Sequence, residues 1–89
     1  MANFRRNPQT AWRRIENEVV IVATRGNKLT VLNDTAARIW ELIDDGASPA
    51  DIAGRIASEY EVSAQVAQAD VDRLLADLLE RQLVAVLAP

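Results

Sequence analysis

An α+β fold, in which a three-stranded antiparallel meander precedes a three-helix bundle, is what the sequence predicts, and three observations predict it. Val19–Ala23 is a short apolar run, mostly β-branched, between turn-forming segments, which is the pattern of a central strand. After residue 33 the apolar period changes to that of a helix, with Ala36, Ile39, Trp40 and Ile43 on one stripe. Ser48-Pro49-Ala50-Asp51 then spells a helix start: a capping serine, a proline at the first helical position, and an acid three residues after the cap.

Residues 1–10 hold Asn3, Asn7, Pro8 and adjacent arginines with no period, and read as a flexible N-terminal arm. Residues 11–89 read as one domain. Ala11–Ile15 is a first strand with Trp12 on one face, and Glu16-Asn17-Glu18 is a turn. Val19–Ala23 follows, expected to be covered on both faces. Arg25-Gly26-Asn27-Lys28 is a hairpin turn, because Gly and Asn both accept positive φ. Leu29–Leu32 returns as a third strand at the sheet's edge. The first helix takes Asn33 or Asp34 as its cap and stops at Asp45-Gly46. The second buries Ile52, Ala53, Ile56 and Tyr60. The third runs from about Ala64 to Gln82, with Val71, Leu74, Leu75 and Leu78 as its stripe. Leu83–Leu87 is an extended tail that closes the core. Three helices and a small sheet are winged-helix-like parts, here with the sheet first.

With 89 residues the chain has room for one small domain. Leu, Ile, Val and Phe supply about 28% of it, enough for a core. There is no Cys and no His, which excludes disulfides, thiolate nucleophiles, the usual zinc sites and every His-based triad. Ser48 is explained as a cap. Asp44-Asp45 sits at a helix end, and Asp70 and Asp72 are two apart on a helix and do not face each other, so neither pair predicts a metal site. Gly26, Gly46 and Gly54 stand alone, so there is no phosphate loop. No enzyme and no cofactor are expected. The longest apolar run, Leu83–Ala88, is too short to span a membrane, and the basic start lacks an apolar segment behind it. A cytoplasmic protein without a membrane partner is the expectation.

Binding remains, and two surfaces compete. Residues 1–28 carry a net charge of +4 and residues 29–89 a net charge of −7, a split that hints at an interaction surface. A helix-turn-helix would place the third helix in DNA. That helix carries Asp70, Asp72, Asp77 and Glu80 against Arg73 and Arg81, which repels phosphates, so nucleic acid is the disfavoured partner. The other surface is the edge strand Lys28-Leu29-Thr30-Val31-Leu32. Its unpaired N–H and C=O groups can accept an extended peptide, and with the third helix beside it a groove forms. A free edge can also pair with its own copy, which makes a homodimerising module a third reading.

The run from Leu32 through Asn33-Asp34-Thr35-Ala36-Ala37-Arg38-Ile39-Trp40 to Gly46 resembles the signature of PqqD-like proteins. The likeness continues through Asp51-Ile52-Ala53, Tyr60, Asp70-Val71, Leu74-Leu75, Leu78 and Leu83-Val84, over about residues 11–87. It implies three strands then three helices. It also implies the role of a precursor-peptide recognition element for ribosomally made, post-translationally modified peptides (RiPPs). Such a non-catalytic peptide chaperone binds the leader segment and delivers it to a maturation enzyme, such as a radical SAM enzyme or a leader peptidase. Lasso-peptide cleavage and quinone-cofactor synthesis both use modules of this kind. In the family the leader adds to the third strand and lies against the third helix. Carried over, the peptide-binding residues are Lys28, Leu29, Thr30, Val31, Leu32, Asp70, Arg73, Leu74, Asp77, Leu78 and Arg81. Two positions depart from the pattern: Gln82, where members often have Gly, and Thr30, where they often carry an aromatic.

Overall fold

The computed structural model describes residues 3–24, 26, 28–43 and 47–87. The order is β1 (Asn3–Arg6), β2 (Thr10–Ile15), β3 (Glu18–Ala23), β4 (Lys28–Asn33), α1 (Asp34–Ile43), α2 (Pro49–Tyr60), α3 (Ala64–Glu80) and β5 (Val84–Leu87). Strands β2, β3 and β4 form the antiparallel meander, with β3 in the middle. The α+β prediction therefore holds.

Asn3–Arg6 differs from the expected arm: it is a strand, antiparallel to β5, with Phe4 opposite Val86. This ribbon joins residues at the two ends of the chain, a pairing that no local pattern announces. Between β1 and β2, Asn7 ties the ribbon to the end of α3. Its N–H donates to the Leu83 carbonyl and its Nδ2 to the Gln82 carbonyl, while its Oδ1 accepts from the Gln9 N–H.

The three helices lie on one face of the meander. Val19, Ile21 and Leu32 point into that face and are buried with Ile39, Trp40, Ile43, Ile52, Ile56, Val71, Leu75 and Leu78. Val20 and Val22 point the other way and are only half-buried, beside exposed Leu29, Val31 and Ile15. The expectation that β3 is covered on both faces is thus corrected. A β-branched run reports strand propensity, not how many layers lie over it.

Local signals place the helices. Ser48 caps α2 through its Oγ, which accepts from the Asp51 N–H at 3.1 Å, and Asp51 bonds back to the Ser48 N–H at 3.4 Å. Each half of such a box satisfies an otherwise orphaned donor. Ser63 caps α3 in the same way through the Val66 N–H. Tyr60, expected in the core, is exposed, and its hydroxyl reaches the Asp34 carbonyl at 3.5 Å. It sits at the end of α2, where a phenol can keep its polar tip in water. Helix α3 stops at Glu80, two residues before the predicted end, because Gln82 turns left-handed at φ +62°. Gly26 is left-handed at φ +85°, as a hairpin turn requires. Arg25 and Asn27 of that turn, and the predicted Asp45-Gly46 stop, lie outside the described residues. No helix of the described residues is long and apolar enough to cross a membrane.

Candidate functional site: a groove between the open sheet edge and α3

Strand β4 has β3 on one side and no strand on the other among the described residues. One hydrogen bond beyond the strand fixes which of its backbone groups are free. The Asp34 N–H donates to the Asn17 carbonyl at 3.0 Å, so Asn17 and Asp34 continue the β3–β4 register as a hydrogen-bonded pair. Bonded and non-bonded pairs alternate along an antiparallel ladder. Leu32, Thr30 and Lys28 therefore bond to β3, while Leu29, Val31 and Asn33 turn their N–H and C=O groups outward. Across the sheet, the Thr24 N–H donates to the Gln9 carbonyl at 3.0 Å, which sets Ala11, Arg13 and Ile15 bonding to β3 and Trp12 and Arg14 facing out. The two assignments agree, since each β3 residue is then used on one side only.

Two clefts border the β4 edge and α3. The first, of about 730 Å³, lies between Lys28, Leu29 and Thr30 on one wall and Asp77, Glu80 and Arg81 on the other, with Asn7, Gln9 and Gln82 at its end. The second, of about 550 Å³, runs from Asn33 and Asp34 to Asp70, Arg73 and Leu74, with Ala36 and Ile39 also lining it. Asp77 lines both, so the clefts meet at the middle of the α3 wall. The second offers apolar surface and the first is polar.

On the α3 wall the charges are paired along the helix. Arg73 Nη1 lies 3.8 Å from Asp70 Oδ1, and Arg81 Nε lies 3.2 Å from Asp77 Oδ1. These are exposed pairs at helical spacing, worth a few tenths of a kcal/mol each, and an incoming charge can reorganise them cheaply. Lys28 and Glu80, on opposite walls of the first cleft, form no ion pair among the described residues.

Of the residues singled out from the sequence, Lys28, Leu29, Thr30, Asp77 and Arg81 line the first cleft, and Asp70, Arg73, Leu74 and Asp77 the second. Val31 lies at the edge by its backbone, and its side chain is exposed on the outer face. Leu32 and Leu78 line neither cleft: both are buried in the core. Their stripe positions point at the sheet–helix interface and leave no surface for a ligand. Sequence reasoning missed Asn7, Gln9, Glu80 and Gln82, and the pair Ala36 and Ile39. The Asn-Pro-Gln turn carried a hint, because Asn side chains commonly bond to backbone two residues on.

A family model described as "PqqD: Coenzyme PQQ synthesis protein D (PqqD)" matches residues 18–84. No curated protein sequence matches the chain. Among solved structures, TbiB1 in complex with the TbiA(beta) leader peptide is 25% identical, with a TM-score of 0.87 over 96% of this chain and 99% of that one. Lasso peptide synthetase B1 complexed with the leader peptide is 36% identical, with a TM-score of 0.85 over 94% of this chain and 99% of that one.

Proposed function

Because the chain belongs to the PqqD family, we propose that it binds the leader segment of a ribosomally synthesised precursor peptide and presents it to the enzyme that matures it. The observation that carries this reading is the outward-facing N–H and C=O groups of Leu29, Val31 and Asn33 beside a helix-lined groove. The likeness to two leader-peptide complexes over almost the whole chain supports it. An extended peptide laid along β4 continues the sheet. Its main chain pairs with those three residues, each hydrogen bond adding about 0.5–1.5 kcal/mol. Every second side chain of the added strand then points toward α3 and the two clefts. The others lie on the outer face beside Leu29 and Val31. Main-chain pairing supplies affinity and the clefts supply selection.

The chain contributes recognition and no chemistry, as a sequence with no Cys and no His suggests. Bond-making or bond-breaking falls to a partner, a radical SAM enzyme or a leader peptidase. The work is that of a peptide chaperone in the cytoplasm.

The test is an amide NMR titration of labelled protein with lasso-type leader peptides, the TbiA(beta) leader first, and with duplex DNA in parallel. Saturable shifts along Leu29–Asn33 and Asp70–Arg81 with peptide are the expected result. Shifts with DNA alone, centred on the basic strands, would overturn the reading.

A further inference from the structure

Gln82 combines three properties that no other residue of the groove shares. Its backbone is left-handed at φ +62°, a conformation that glycine adopts without cost and a side chain disfavours. That conformation is pinned on both sides. The Gln82 N–H donates to the Leu79 carbonyl, the Leu83 N–H to the Leu78 carbonyl, and the Gln82 carbonyl accepts from Asn7 Nδ2 at 2.8 Å. Finally, Gln82 lines the first cleft, and its carboxamide makes no hydrogen bond among the described residues.

Left-handed backbone alone would not single it out. Glu16 and Glu61 are left-handed too, but they line neither cleft. Asp34 is left-handed and lines the second cleft, yet Asp tolerates that region and here it opens α1. At Gln82 the strained residue also lines a cleft and carries a carboxamide with no hydrogen bond among the described residues. Gln9 stands across the same end of the cleft. Its backbone is fixed by Asn7 Oδ1 and by Thr24, whose N–H and Oγ1 both donate to the Gln9 carbonyl, and its carboxamide is likewise unpartnered among the described residues.

A carboxamide offers one acceptor and two donors, the complement of a peptide unit. We propose that Gln82, with Gln9, forms a carboxamide clamp at the Lys28 end of β4 that hydrogen-bonds main-chain amides of the bound peptide beyond the last strand pairing. The ladder of Leu29, Val31 and Asn33 ends where β4 ends, and the clamp extends the footprint on the peptide past it. This role rests on the leader-binding reading above. Backbone strain persists where surrounding structure over-determines it, and here it holds a hydrogen-bonding group in place.

The experiment compares wild type, Gln82→Gly, Gln82→Asn, Gln9→Ala and Val31→Pro by calorimetric titration and thermal melting. The probe is the leader peptide that saturates in the titration above, with versions shortened from either end. Gln82→Gly melts at the wild-type temperature or higher, because strain is relieved. It binds the full peptide roughly five- to tenfold more weakly, the loss of one or two hydrogen bonds. One of the two shortened peptides loses affinity for wild type and not for Gln82→Gly. Gln82→Asn, which keeps the carboxamide and tolerates the left-handed turn, retains part of the affinity, and Gln9→Ala loses some of it. A Gln82→Gly protein that binds all peptides as tightly as wild type, while Val31→Pro loses binding, overturns the clamp and leaves the groove standing. Wild-type affinity in Val31→Pro as well would overturn the groove reading itself.

Discussion

The sheet has two edges with the same backbone chemistry and opposite treatment. At β4, Leu29, Val31 and Asn33 turn their N–H and C=O groups toward a groove. At β2, Trp12 and Arg14 turn theirs outward as well, but large charged side chains stand guard. The Arg6 guanidinium lies 4.5 Å from the centre of the Trp12 ring and 5.6 Å from that of Trp40, and the two indoles meet edge to face at 6.2 Å. Arg14 is tied to Glu41 at 2.9 Å, and Glu41 to Arg38 at 3.5 Å. Charges and bulk at an edge are how proteins blunt unwanted strand pairing. The contrast teaches that the two edges are flanked differently: one is bordered by stacking and ion pairs, while the other carries Thr30, Leu29 and Val31 beside α3. Substitutions at the first should move stability, and substitutions at the second should move peptide binding.

The largest effect is expected at Trp40, fully buried beneath the guarded edge. Trp40→Ala should cost about 3–5 kcal/mol in denaturant unfolding, through lost burial and the cavity left behind. Trp40→Phe should cost far less. Among the described residues the buried Nε1–H has no acceptor, so its removal also relieves an unsatisfied donor. A Phe variant as unstable as the Ala variant would show that the indole does more than fill space.

Val31→Pro probes the open edge. Its N–H faces away from β3, so the fold keeps its ladder, and the stability cost should stay at about 1 kcal/mol. Peptide affinity should fall about ten- to a hundredfold, since the ring removes a donor and blocks close approach. Trp12→Ala reverses the pattern. It removes the edge-to-face and cation–π contacts, at about 1–2 kcal/mol of stability, and leaves peptide affinity unchanged. Reduced affinity in Trp12→Ala would break the comparison, because the guarded edge would then communicate with the groove.

This division was half legible in the sequence. The meander, the free third strand and the helix starts follow from β-branched runs, turn residues and the Ser48 box, which are local. The residues of the groove's α3 wall, Asp70, Arg73, Leu74 and Asp77, were implied by the family resemblance and not by any local pattern. What was not legible is long-range. Asn3–Arg6 has no apolar alternation and gains its strand only by pairing with Val84–Leu87. Without that ribbon, Asn7 and Gln9 read as tail, and the closed end of the groove cannot be foreseen. Leu32 and Leu78 fail for a different reason: an apolar stripe does not say which of its members face a ligand and which face the core.

The smallest effect concerns the ion pairs behind the guarded edge. Arg38 bridges helices α1 and α2 through a bidentate contact with Glu59, at 2.8 and 3.0 Å, and Arg55 approaches the same carboxylate at 3.6 Å. The hydrogen bond from Arg38 holds the Glu59 carboxyl below its ordinary range, and the reciprocal bond raises Arg38. Both side chains are about one-third exposed, so solvent screens the pair. Glu59→Gln should therefore cost only about 0.5 kcal/mol at neutral pH. The sign with pH is fixed by the direction of the shift. A carboxyl whose folded pKa is lowered stabilises the fold above its unfolded pKa. That contribution is lost as pH falls through the unfolded value toward the folded one. Urea unfolding of wild type and Glu59→Gln should differ at pH 7 and converge as the solution is acidified below the ordinary carboxylate range, while peptide affinity at pH 7 stays the same. A gap that persists undiminished in acid would mean that Glu59 acts by packing and not by charge.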